Sequence, residues 1–394
     1  MTTGTETGWT PPAETGWTPP TETERLLREA GASGDTGAVL EALSRCRLHV
    51  MVARLHADAP GYIAPFPSQH DPVTGRMCVP VLTSGMLPPW HPEWVFRRTT
   101  LTELAGRWPD NRWRLGVNLT TLGAFTLDAR PRNRRAWPAA DERSAGPPAG
   151  TLLTDGNGPL HGPVAHGLAV GAHLAVHNGL VWNRLGTAYA DYATDRAWLR
   201  NPWGVENRAD HRQTLDALMA TRLIGRTHES VLRIRCALAD RLGRTPSLQE
   251  WSEGVAVALG RRGTPAGDLA EADEALRRVA RYEERFRADG VLAPDGRIDT
   301  LSAFDHGRAV NVVRMGLGAR YCDPQEAERA VVRIGGLARR TYRSWEEFSL
   351  GYALTRMIMF GDGDDAEERY AQSLTQHRVL TQDPTSPYRN IPWS

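Results

Sequence analysis

The spacing of apolar positions changes character along the chain, and each change predicts a different kind of element. Leu26, Leu27 and Ala30 fall at helical spacing, and Asp35 stands where it can cap a second helix that carries Val39, Leu40 and Leu43 inward. Leu48, Val50 and Val52 then alternate at strand spacing, and Met77, Val79 and Val81 do so again before the Thr83-Ser84-Gly85 turn. Thr100 and Glu103 have the separation of a capping box for a short helix, and Trp113 to Leu127 reads as further strand and turn. Helices mixed with a few strands over residues 23–129 predict a small α+β N-terminal domain.

Residues 130–158 are rich in Arg, Pro, Gly and Ala without periodicity, which predicts an exposed, flexible linker open to proteases. From 159 to 394 the signal is helical. Val170, Leu174, Val181 and Leu185 predict one long apolar helix, and Leu215, Leu218 and Met219 mark the next. Val231, Ile234, Leu238 and Leu242 follow the same spacing. Ser247 and Glu250 form a box before Trp251, Val255 and Leu259, and Gly290 closes a stripe running from Leu269 to Phe286. Asp323-Pro324 with Glu326, and Ser344 with Glu347, are two more helix starts. The expected class is thus a multi-domain chain, α+β followed by a mainly all-α domain. Residues 1–22 carry the repeat Thr7-Gly8-Trp9-Thr10-Pro11-Pro12 and Thr15-Gly16-Trp17-Thr18-Pro19-Pro20, which predicts a disordered tail. The alternative is a polyproline-type docking motif anchored by Trp9 and Trp17.

Composition narrows the function classes. The 394 residues include 47 basic and 46 acidic ones, a balance that argues against a dedicated nucleic-acid surface. Every one of those basic residues is arginine, so Schiff-base chemistry and a phosphate-loop lysine are excluded. Cys46, Cys78, Cys236 and Cys322 are widely spaced and form no CxxC pair, as expected of thiols in a reducing compartment. The most apolar stretch, Ala165 to Trp182, carries three histidines and Asn178 and makes a poor membrane span. A cytoplasmic protein without membrane or nucleic-acid partners is expected.

Candidate chemistry is sparse. Asp305, Arg308, Asn311 and Arg314 recur at three-residue steps, so each neighbours the next while the row winds round the helix. They predict either a buried Asp–Arg pair that fixes the helix, or a polar pocket in which arginines hold an anion, with Glu346 and Glu347 as counter-charges or acid–base groups. Glu347 is already accounted for by a cap. His173 and His177, with His166 a further seven residues back, have the spacing of metal ligands on one helix face. The glutamate of an HExxH motif is missing, however, and the small residues around them suit close packing about core histidines. No metal and no cofactor are expected. There is no GxSxG elbow, Asp362-Gly363-Asp364-Asp365 lacks the ligands of a calcium loop, and Gly156-Asn157-Gly158 lacks the glycine spacing and preceding strand of a dinucleotide fingerprint. Trp203, Trp345 and Trp393 are read as structural anchors, the last in a terminal segment too aromatic to be left undocked.

Two resemblances accompany these readings. Over about Glu24 to Phe125, the run Val79-Pro80-Val81-Leu82-Thr83-Ser84, the helix at Leu101-Thr102-Glu103-Leu104 and Asn118 resemble the SseB N-terminal domain, although Leu119-Thr120-Thr121 replaces that family's Pro-Gly-Gly. From about Leu160 onward, Asn201-Pro202-Trp203-Gly204-Val205, Phe304-Asp305-His306-Gly307-Arg308-Ala309, Tyr342-Arg343-Ser344-Trp345-Glu346-Glu347-Phe348 and Ser386-Pro387-Tyr388-Arg389-Asn390-Ile391-Pro392-Trp393 resemble the bacterial domain-of-unknown-function family 1266. That likeness implies a fold and no activity. The expected function is an interaction or regulatory protein with a protein partner. The alternatives are an enzyme or toxin-like effector using the Asp305/Arg308/Glu346 pocket, and a metal protein using the histidines.

Overall fold

Capping residues and alternating apolar residues set the N-terminal elements of this computed structural model, which describes residues 17–59, 61, 65–143, 150–186, 191–261, 263–361 and 363–394. The first repeat with Trp9, the centre of the expected linker and Asp362 of the acidic turn lie outside the described residues. Helices α1 (Glu22–Ser33) and α2 (Thr36–Arg45) lead into β1 (Leu48–Ala53) and α3 (Arg54–Asp58). Next come β2 (Gln69–His70), β3 (Met77–Thr83), β4 (Trp94–Thr99), α4 (Leu101–Gly106), β5 (Arg114–Val117) and β6 (Phe125–Asp128). Asp35 caps α2 by accepting from the Ala38 N–H at 3.0 Å. Thr100 caps α4 in the same way at 3.1 Å, but Glu103 turns to Arg97 and Arg107 and leaves the reciprocal half of the box unmade. The strands run in the order β4-β1-β3-β5-β6, with β2 beside β3, and only the β3–β5 pair is parallel. Val50, Val79, Val81, Leu115 and Val117 pack under Leu27, Leu43, Leu101 and Leu104 to form this core.

Residues 130–158 depart from the expected linker. Short helices α5 (Pro131–Arg134) and α6 (Trp137–Arg143) follow β6, and Trp137 and Ala140 are buried in the N-terminal core. At the far end Leu153 bridges Val181, and buried Asp155 is held by Arg184 and Asn183. Trp137 and Ala140 turn inward and Leu152 packs against the helical core, which an average over the segment's Arg, Pro and Gly content conceals. The described end of the expected tail departs too: α1 begins at Glu22, and Trp17 and Pro20 are hydrogen-bonded to the body.

The single long helix expected from Val170 to Leu185 is two, α7 (Gly162–Val170) and α8 (Ala172–His177), joined at Gly171. Gly171 lies so close to the helix beneath that a Cβ there would stand 2.7 Å from Val310 Cγ1. Gly179 then takes φ 59, a left-handed conformation that ends the helical run, so Val181 and Leu185 keep the spacing without the helix. The remaining helices are α9 (Tyr192–Trp203), α10 (Arg208–Met219), α11 (Arg226–Leu242), α12 (Leu248–Gly260) and α13 (Ala266–Ala288). They are followed by α14 (Ser302–Gly318), α15 (Pro324–Thr341), α16 (Trp345–Phe360), α17 (Ala366–Gln382) and α18 (Pro387–Asn390). Both Ser247–Glu250 and Asp323–Glu326 form complete capping boxes.

Helix α14 is buried almost all round and lies at the centre, with α7, α9, α10, α15 and α16 against it. One apolar core gathers these elements. A second joins α11, α12 and α13 to α16 and α17. The N-terminal region is thus α/β with a mixed sheet, and the C-terminal region is mainly helical. The two meet through Trp90, whose indole donates to the Leu317 carbonyl at 3.2 Å, and Arg320, which donates to the carbonyls of His91, Trp94, Leu317 and Gly318. Asp191 caps α9 with one oxygen and accepts from the Arg98 N–H at 2.8 Å with the other. Among the described residues no helix is long and apolar enough to cross a membrane.

Candidate functional site

The polar row on α14 does not converge on one pocket. Asp305 is fully buried, with one oxygen on Arg308 and the other accepting from the Leu223 N–H at 3.2 Å. Burial pushes its carboxyl up, against the opposing pull of the Arg308 guanidinium. Arg308 stacks over Phe304 at 4.4 Å and over Trp203 at 5.3 Å. Asn311 reaches no further than Met315, and Arg314 is buried on another side of the helix, donating to the Trp182 carbonyl. Glu346 is exposed in the first turn of α16, far from this pair in its contacts; its charge acts on His377.

The three histidines also diverge. His166 lies between the rings of Trp345 and Trp393, at 4.8 and 5.5 Å. His173 stacks on Tyr352 and shares a hydrogen bond of 2.8 Å with the hydroxyl of Ser349, which binds Nδ1 of His377 at the same distance. His177 is exposed and meets Gln376. Among the described residues no group of three His, Cys, Asp or Glu side chains is placed to hold a metal. The His173–Ser349–His377 bridge was not foreseen, and no local spacing could have signalled it. Ser349 is fully buried, so the bridge ties α8, α16 and α17 together and has no face for a substrate. Burial holds His173 well below the usual range for histidine and His377 at about 4.

The four sequence runs of the helical half form two clasps. The Asn201–Val205 and Phe304–Ala309 runs meet where Trp203 covers Arg308. The Tyr342–Phe348 and Ser386–Trp393 runs meet where Trp345 stacks on Tyr388 at 4.3 Å and donates to the Ile391 carbonyl at 2.8 Å. Trp393 closes this second clasp by donating to the Tyr342 carbonyl at 2.9 Å. Replacing Trp393 by Ala is expected to lower the unfolding free energy by about 2 kcal/mol, through the lost ring pair and hydrogen bond. Denaturant unfolding at neutral pH measures this, and an unchanged midpoint would mean that the terminal segment is not docked.

A groove of about 660 Å3 lies open to solvent between α11 and α12. The inner faces of these helices, with Val231, Leu232, Trp251, Val255 and Leu259, pack on Ala272, Leu276 and Val279 of α13. On the outer face Gly254 lets the helices close up, since a Cβ there would stand 2.5 Å from Leu238 Cδ1. Ile234, Leu238 and Ala258 form the floor, and Val257 and Leu242 at its edge are 52% and 39% exposed. Glu250 at the rim is already bound by Arg244 at 2.6 Å. Arg233, Arg241 and Arg261, also at the rim, have no ion-pair partner among the described residues. An apolar floor with unpaired guanidinium groups above it suits a segment with one apolar face and flanking carboxylates.

Residues 198–393 match the family described as "Protein of unknown function (DUF1266)", and the match includes all four of the runs that build the two clasps. It begins later than the resemblance from Leu160 suggested, and no SseB-like domain is shown over the N-terminal region. No curated protein and no solved structure matches the chain. A DUF1266 domain is thus found over residues 198–393, from within α9 to the penultimate residue.

Proposed function

We propose that this chain is a protein-binding module whose α11–α12 groove seats an acidic, amphipathic helical segment of a partner. The observation that carries the reading is the groove itself: an apolar floor lying open to solvent beneath three arginines without ion-pair partners. An apolar floor favours association, and the guanidinium groups above it favour carboxylates. Helix-in-groove binding would cover Leu238, Val257 and Leu242 and give Arg233, Arg241 and Arg261 carboxylate partners. The surface thus belongs to the helical half. An SseB-like character for that region and a cytoplasmic setting remain part of this reading, supported by the sequence likeness over residues 24–125 and by four free thiols.

The test is recovery of a stoichiometric partner by the full chain and by two groove variants, Val257→Asp and the pair Arg241→Glu with Arg261→Glu. A partner held by the groove is lost from the first variant. In the second, exchanging two positive rim charges for negative ones is expected to weaken it by at least about 10-fold. A partner retained equally by all three chains would show that another surface is used, and no partner under any growth condition would sink the proposal.

A further inference from the structure

The second copy of the N-terminal repeat is docked, from Trp17 onward, in a hollow of its own. The Trp17 ring lies beside the turn between β5 and β6, with two of its carbons 3.2 and 3.4 Å from where a Cβ on Gly123 would stand. Leu27, Leu122 and Phe125 line the same hollow. Arg28 donates to the Trp17 carbonyl at 3.3 Å, and three residues further on Asn157 donates to the Pro20 carbonyl at 2.7 Å. The segment is thus gripped by its ring at one end and by a proline carbonyl at the other, and the two grips come from stretches far apart in the chain. A Cβ at residue 123 would press on the ring, which would have to give by a few tenths of an ångström.

Every group making these contacts is present a second time. Thr7-Gly8-Trp9-Thr10-Pro11-Pro12 repeats Thr15-Gly16-Trp17-Thr18-Pro19-Pro20 at every position. The hollow contacts an indole, a backbone carbonyl and a proline carbonyl, so nothing in it distinguishes one copy from the other except the tether to α1. We propose that this hollow is a binding site for Gly-Trp-Thr-Pro-Pro segments, and that the first copy, Thr7–Pro12 of the same chain, is its second ligand. With the first copy seated, the intervening residues form a larger loop, and loop closure becomes only slightly less favourable with that added length. The second copy is therefore the usual occupant and the first copy its reserve. Paired prolines in general favour extended backbone, which reduces the ordering needed on docking.

The proposal is tested on the full chain with Trp9→Ala, Trp17→Ala and the double variant, by hydrogen exchange at residues 118–127. The expected result is wild-type protection in Trp9→Ala, most of that protection kept in Trp17→Ala, and its loss in the double variant. Adding a peptide of the Thr7–Pro12 sequence to the double variant should restore protection saturably, and Gly123→Val should abolish that rescue. If Trp17→Ala loses as much protection as the double variant, or the peptide rescues nothing, the first copy is not a ligand and the proposal is overturned. If Trp17→Ala dimerises in sedimentation and the double variant does not, the occupant comes from a second chain, which overturns the same-chain assignment.

Discussion

Replacing Glu283 by Ala is expected to destabilise the full chain by about 4 kcal/mol, because it strands a buried guanidinium without its counter-charge. Arg235 and Glu283 face each other across α11 and α13 in a two-pronged pair, with both contacts at 2.9 Å. Their side chains are 3% and 4% exposed. The pair is further tied to one backbone position: Arg235 donates to the Ile298 carbonyl at 2.5 Å, and the Ile298 N–H donates to Glu283 at 2.8 Å. Trp251 covers the guanidinium at 4.4 Å. Removing one partner leaves the desolvation of the other uncompensated, whereas replacing both by apolar groups removes the penalty along with the attraction. Urea unfolding of Glu283→Ala and of the double variant Arg235→Met with Glu283→Leu separates these terms. The double variant should recover most of the loss, and a single variant within about 1 kcal/mol of wild type would show that the pair is solvated. The same helices carry the groove, so under the proposed function Glu283→Ala should weaken binding there as well.

Lowering the pH from 7.5 to 5 is expected to cost a similar amount, about 4 kcal/mol, through His306 and His377 alone. Burial holds both at about 4. At His377 the charge of Glu346 pulls the other way and Arg378 adds to the depression. An unfolded histidine titrates near 6.5, so between 6.5 and about 4 the unfolded chain binds protons that the folded chain refuses. Stability is therefore full above the unfolded value and falls as the pH drops through this window. By pH 5 each histidine accounts for about 2 kcal/mol. Asp305 and Asp195 oppose the trend, since burial raises both carboxyls and favours the folded state as they take up protons. Urea midpoints across this pH range, with His377→Gln reducing the slope, give the measurement. A flat profile would mean that these rings are reachable by water.

Legibility in the sequence followed the range of the interaction. Caps act within one turn, so Ser247 with Glu250 and Asp323 with Glu326 could be read directly and are both present in full. The box at Ser344 is half made: Ser344 accepts from the Glu347 N–H, but Glu347 reaches the N–H of Arg343 instead of the cap residue. The two clasps could be seen as four separate runs, but not as pairs, because Trp203 and Arg308 are brought together only by the packing of α9 on α14. The same limit hid Ser349 and His377. Gly171 was the converse case, where a regular apolar spacing continued across a break imposed by a neighbouring helix. Of the candidate site, the apolar stripe on α11 was legible; that part of it stays uncovered depends on how closely Gly254 lets α12 approach.

One helix has a double allegiance that bears on how binding could be felt elsewhere. Trp345, Phe348 and Tyr352 of α16 belong to the core around α14, while Leu350, Ala353, Leu354, Met357 and Ile358 belong to the core beneath the groove. The layer that carries the groove is thus bolted to a beam whose far flange is gripped by the last residues of the chain. Force applied at the groove and the hold of the C-terminus act on this beam in series, so a partner that shifts α11 and α12 loads the Trp345–Tyr388 clasp without touching it.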